Sequence, residues 1–171
     1  MNEKELVNLA KSGNKDAFAE LYGQYKDRLY RYAFYRLQSE NDAEDAVQDC
    51  VVAAFIQIGS LKKAEAFSAW IFRILYCTCN SYIKRQALVR KNSNIDDMEN
   101  QLFDNSAENT ALKTELQNAL DVLKDDEKEI VLLSVVAGFN SGEIGKIVDM
   151  TSGAVRSKLS RSLKKMRDFL E

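Results

Sequence analysis

Histidine and proline are both absent from this 171-residue sequence. Without imidazole the chain lacks the usual base, acid and metal ligand of neutral pH, which argues against hydrolytic and zinc chemistry. Without proline, nothing forces a break in a long helix. Cysteine is scarce: Cys50, Cys77 and Cys79 are odd in number, and each sits inside an apolar helical pattern. They read as reduced core residues, and the Cys77–Cys79 spacing fits neither a zinc knuckle nor a Cys-x-x-Cys redox pair. No apolar run reaches the length of a membrane span, and no signal-peptide-like segment opens the chain, so a soluble, cytoplasmic protein is expected. A Gly-rich phosphate loop and a metal-ligand cluster are also missing. No catalytic residue, metal, cofactor or small-molecule substrate is therefore expected.

What the sequence does contain is helical periodicity, and no convincing period-two run. Residues 3–12 form a first short pattern ending at Gly13, and Asn14 can cap a long second helix to about residue 37. Phe18, Leu21, Tyr22, Tyr25, Leu29, Tyr32 and Ala33 fall on one side of it. Asn41 with Glu44 resembles a capping box for a third helix to residue 59, with Ala43, Ala46, Val47, Cys50, Ala54 and Ile58 inward. A fourth spans 64–89, with Phe67, Trp70, Ile71, Ile74, Leu75 and Thr78 inward. Periodicity then fails across an Asn-, Asp- and Ser-rich stretch that reads as a linker, 92–110. Helical patterns resume at 111–123 and 125–137, with Asp125 a possible cap and Gly138 a closing residue. The expected fold is all-α, with two small bundles, 1–91 and 111–171, on a flexible acidic tether.

The last stretch carries the sharpest signal. Ser141 can cap a short helix bearing Ile144, Ile147 and Val148; Asp149 and Met150 make a turn; Thr151 can cap a helix over 152–169. Val155, Leu159, Leu163 and Met166 give that helix one apolar stripe, while Arg156, Lys158, Arg161, Lys164, Lys165 and Arg167 occupy its flanks and outer face. A basic helix braced this way can lie in a DNA major groove, which makes the segment a helix-turn-helix candidate. Charge is distributed to match. All charged residues from Arg73 to Lys91 are cationic, the region from Asp96 to Glu129 is strongly acidic, and the final helix is basic again. Two basic surfaces around an acidic middle suit a two-site nucleic-acid binder.

Four segments in order give a resemblance over almost the whole chain: Ala17–Phe18–Ala19–Glu20–Leu21–Tyr22, Asp42–Ala43–Glu44–Asp45–Ala46–Val47–Gln48–Asp49, Phe67–Ser68–Ala69–Trp70–Ile71–Phe72–Arg73–Ile74, and the run from Ser152 to Ser162. Each alone is a weak match, and together they are a strong one. The chain resembles extracytoplasmic-function (ECF) sigma factors of the sigma-70 family, which keep only the second and fourth sigma regions. The resemblance implies a non-enzymatic specificity subunit that binds core RNA polymerase and promoter DNA and is held inactive by an anti-sigma factor. It implies polymerase docking through Asp45, Gln48 and Asp49, whose outward side chains would meet a basic and polar surface.

By the same resemblance, the loop carrying Lys62 and Lys63 together with Asn80, Lys84 and Arg85 would contact the −10 element, where a base leaves the stack and cations hold phosphates. Ser152, Arg156, Ser157, Lys158 and Arg161 would hold the −35 element, aided by backbone amides at the helix N-terminus. Cys77 and Ser81 stand where the family often shows Asn and Asp, and Asp149 where the turn often has Gly. Trp70 and the tyrosines Tyr22, Tyr25, Tyr30, Tyr32 and Tyr35 read as packing residues rather than base-stacking platforms. The rival reading is a free-standing helix-turn-helix regulator, which would have no use for the acidic third helix or the basic fourth.

Overall fold

The computed structural model describes residues 1–92 and 114–171, and its regular structure is entirely helical. The helices are α1 Glu3–Lys11, α2 Lys15–Leu37, α3 Glu40–Gln57 and α4 Phe67–Asn92, with 3-10 turns Ile58–Ser60 and Ala64–Ala66 between the last two. Then come α5 Glu115–Asp121, α6 Asp125–Val135, α7 Ser141–Val148 and α8 Ser152–Leu170. Nearly all of the proposed tether, 93–110, lies outside the described residues.

Local chemistry sets most boundaries. Asn2 and Glu5 form a reciprocal capping box on α1, and the Asn14 side chain accepts from the Ala17 N–H at 3.0 Å to start α2. Gln38, left-handed at φ 55, closes α2. The cap of α3 is Ser39, whose hydroxyl accepts from Asp42 N–H, and not Asn41 as the sequence suggested. That places Asn41 inside the first turn, where its side chain caps nothing. In the same way Asn140, in a box with Glu143, caps α7 in place of Ser141, and Lys124 rather than Asp125 occupies the cap position of α6. Thr151 caps α8 as expected.

The first four helices surround Leu6, Leu21, Leu29, Ala43, Ala46, Cys50, Phe67, Ile71 and Leu75, all at most 1 % exposed. Leu120, Ile130, Leu133, Ile144, Ile147 and Val155 fill the second bundle to the same degree. The two bundles share one continuous core: α4 packs on α7 and α2 on α6. Phe72 shows why. It is fully buried, with its ring 5.1 Å from Phe139 of the second bundle and 6.1 Å from Tyr32 of the first. The inward stripe expected of α4 omitted it because it serves a second face of the helix. Cys50 and Cys79 are buried, and burial pushes both thiols up to about 12. Cys77 is exposed, contrary to the core position expected of it, because it lies on the solvent side of α4.

Candidate nucleic-acid interface

The helix-turn-helix is built by a close backbone approach. Asp149 takes the left-handed conformation (φ 61, ψ 50) that ends α7, and Met150 N–H donates to Gly145 C=O at 2.9 Å. Asp tolerates this geometry better than most residues. Thr151 Oγ1 then accepts from Ala154 N–H at 3.1 Å to open α8. Val155, Ser162 and Met166 form the buried side of α8, with Leu159 half-buried. Leu163, placed in the stripe by the sequence pattern, is 41 % exposed. Its position is taken by Ser162, whose hydroxyl escapes an unsatisfied burial by donating to Lys158 C=O at 2.7 Å.

Acids at the start of α6 draw two of the six cations of α8 inward. Lys158 bonds the Asp126 carboxylate, and Lys165 bonds Glu127 at 2.8 Å. The lysines in turn hold both carboxyls below their usual range. Lys158 therefore braces the helix, and its ammonium is occupied. Arg156, Ser157 and Arg161 stay exposed on the side away from Val155 and Met166, as does Lys164, which the sequence placed on the outer face but not among the −35 residues. Ser152 is half-buried at the helix start.

The first bundle presents two further faces. Asp45, Gln48 and Asp49 are exposed on one side of α3, and the same stripe continues into Val52 and Ile56, exposed to 58 and 74 %. Sequence patterning pointed to the acidic end only; the apolar continuation was hidden by the equally apolar inner stripe. Asp49 accepts from the Tyr82 hydroxyl of α4 at 2.9 Å, and Asp42 accepts from Gln86 at 2.7 Å. Burial first, then this Asp49 contact, pushes the Tyr82 phenol up to about 12. Arg85 lies over the Tyr82 ring at 4.3 Å.

On α4, Lys84 and Arg85 are exposed and Asn80 is half-buried, while Lys62 and Lys63 are exposed in the loop before the helix. Arg73, Cys77, Asn80 and Lys84 recur at steps of four, three and four, so they share one helix face. Tyr25 and Tyr32 are buried; Tyr22, Tyr30, Tyr35 and Trp70 pack partly buried against the core, in keeping with a packing role. Among the described residues no group of His, Cys, Asp and Glu forms a metal cluster, and no helix is long and apolar enough to cross a membrane.

Both halves match known families. Sigma-70 region 2 matches residues 21–89, and Sigma-70 region 4 matches residues 113–166. The ECF RNA polymerase sigma-E factor of Haemophilus influenzae is 30% identical over 95% of this chain and 92% of its own length. The chain belongs to the ECF sigma factors. The ECF sigma factor BldN of Streptomyces coelicolor is 26% identical over 97% of this chain; being longer, it is covered to only 65% of its length. In fold, the chain is similar to the Bartonella quintana sigma factor RpoE solved with the anti-sigma factor NepR, at a TM-score of 0.73 and 21% identity over 92% of this chain and 98% of that one.

Proposed function

We propose that this sigma factor directs promoter-specific initiation by dividing the work between its two halves. Residues 1–91 form the polymerase-docking and −10 domain, 111–171 form the −35 domain, and 92–110 join them. The exposed α3 stripe supports docking: Asp45, Gln48 and Asp49 supply charge for a basic partner, and Val52 and Ile56 supply apolar area to bury. Lys62, Lys63, Lys84 and Arg85 provide the cations that a single strand at −10 needs, with Asn80 able to hydrogen-bond a base edge. The observation that carries the −35 assignment is the outward set Arg156, Ser157 and Arg161 on a capped, braced helix, free of the acids that occupy Lys158 and Lys165. Lys158 contributes by positioning that helix.

The protein catalyses no covalent step in this reading; each domain alone binds DNA weakly and salt-sensitively, and core polymerase joins the two sites in one complex. An anti-sigma partner and a cytoplasmic location complete the proposal, supported by the family and by the anti-sigma complex of the B. quintana relative. A region 2 match spanning residues 21–89 favours it over a free-standing regulator. Run-off transcription with core polymerase tests it: specific starts are expected only when the protein is added. Arg156→Ala and Arg161→Ala should weaken starts that depend on the −35 element. Unchanged transcription from promoters with native and altered −35 elements would sink that assignment.

A further inference from the structure

Within the first bundle, two polar rungs tie α3 to α4. The Tyr82 hydroxyl donates to the Asp49 carboxylate at 2.9 Å, and the Gln86 amide donates to the Asp42 carboxylate at 2.7 Å. Asp49 lies on the exposed acidic stripe of α3; the side chains of Asp45 and Gln48 beside it make no hydrogen bond among the described residues. On its other side Tyr82 meets Arg85, one turn along α4, whose guanidinium lies 4.3 Å from the centre of the ring. Tyr82 itself is half-buried, while Asp49 and Arg85 are exposed. A single side chain thus touches one residue of the docking stripe and one cation of the −10 face.

The two ends of the tyrosine do different work. A carboxylate has several acceptor positions, so the hydroxyl occupies one, fixes the orientation of Asp49, and leaves the others for a cation of a partner. Burial first, then the Asp49 contact, pushes the phenol up to about 12, so it remains a protonated donor at neutral pH. The ring acts on Arg85 instead. An exposed arginine loses rotamer freedom when it grips a phosphate; a guanidinium already seated on a ring has less to lose. The Asp42–Gln86 rung holds the same pair of helices without touching either surface residue, so the packing of α3 on α4 does not rest on Tyr82 alone.

We propose that Tyr82 is a positioning residue with two separable parts: its hydroxyl sets Asp49 for core polymerase, and its ring sets Arg85 for the −10 strand. This rests on the sigma-factor reading above. Tyr82 acts through its two neighbours and contacts neither partner.

The test uses the full chain and the variants Tyr82→Phe, Tyr82→Leu and Gln86→Leu. Core affinity is read by competition with labelled wild type for core polymerase. Strand affinity is read at saturating core, with a single-stranded oligonucleotide covering the −10 region of a promoter mapped by run-off transcription. Tyr82→Phe should weaken core binding by about three-fold or more and leave oligonucleotide binding within about two-fold of wild type. Tyr82→Leu should weaken both by about three-fold or more. Adding Tyr82→Phe to Asp49→Ala should weaken core binding no further, and adding Tyr82→Leu to Arg85→Ala should weaken oligonucleotide binding no further. Gln86→Leu, which breaks only the other rung, should leave both readouts at wild-type values. Core binding by Tyr82→Phe equal to wild type, oligonucleotide binding by Tyr82→Leu equal to wild type, additive losses in either double variant, or losses reproduced by Gln86→Leu would each overturn the assignment. Wild type that yields no specific starts with core would defeat the sigma-factor reading instead.

Discussion

Gly145→Ala should damage this protein more than its modest chemistry suggests. A methyl group built on Gly145 overlaps the Met150 carbonyl oxygen, closer than such contacts occur, and comes to 3.4 Å from its carbon. Both obstacles are backbone, so no side-chain rotation relieves the clash, and the turn between α7 and α8 must open. Overpacking of this kind costs about 3 kcal/mol at the upper end of its range. Alanine returns about 1 kcal/mol through its better helix propensity, leaving a net loss of about 2 kcal/mol. Gly23 supplies the control: it lies in α2, on the exposed side, and a methyl there meets nothing within 4 Å. Gly23→Ala should therefore gain about 1 kcal/mol. At roughly 2–4 °C per kcal/mol for a chain of this size, thermal melts should show Tm lowered by about 4–8 °C in the first variant and raised by about 2–4 °C in the second. Gly145→Ala should also reduce −35-dependent transcription, because the turn aims α8. A melt of Gly145→Ala at or above wild type, with Gly23→Ala raised as expected, would refute the argument that the turn depends on this close approach.

Three further outcomes follow from the same geometry. Thr151→Ala removes the acceptor for Ala154 N–H and should cost about 1 kcal/mol in urea denaturation, with Thr151→Ser retaining most of it. Phe72→Ala empties a site touching both bundles and should cost about 3–5 kcal/mol, read as a shifted urea midpoint; less than 1 kcal/mol would mean that the two halves do not share a core. Burial, only partly opposed by Arg36, raises the Glu129 carboxyl to about 7 from 4.5, so the folded state binds this proton more tightly than the unfolded chain. Stability should then fall as pH rises between about 4.5 and 7, by at most about 3 kcal/mol, and level off above. Asp126 and Glu127 are shifted the other way and lose their contribution as pH falls through the acid range. A stability maximum near pH 5 is expected, and urea midpoints that climb from pH 5 to 7 would contradict it.

Among the described residues, the all-helical class and the individual helices were legible because each helix carries its own periodic stripe, and α2 and α3 buried nearly the residues their spacing predicts. Helix starts were harder to read. Ser39 and Asn41, or Asn140 and Ser141, are equally good caps by composition, and only the backbone geometry of each turn chooses between them. The stripe on α8 drifted for a different reason. Spacing favours Leu163, but packing against α6 turns Ser162 inward, and a local hydrogen bond to Lys158 C=O makes a buried hydroxyl tolerable there.

The candidate site shows where a one-face reading of a helix stops working. Lys158 and Arg156 are alike in sequence, yet Asp126, 32 residues earlier, engages one and leaves the other to solvent. Arg36 belonged to no predicted set, and Arg73 was read only as one cation of the first basic surface. They proved to be the charges on which the second bundle rests, a role set by tertiary contacts that no spacing within α2 or α4 encodes. α4 carries three sets of side chains at once: Ile71, Leu75 and Cys79 toward its own bundle, Phe72 and Arg73 toward the other, and Asn80 and Lys84 toward solvent. Arg73 shares a face with the last two, so one side of α4 meets the second bundle near its start and turns to solvent near its end.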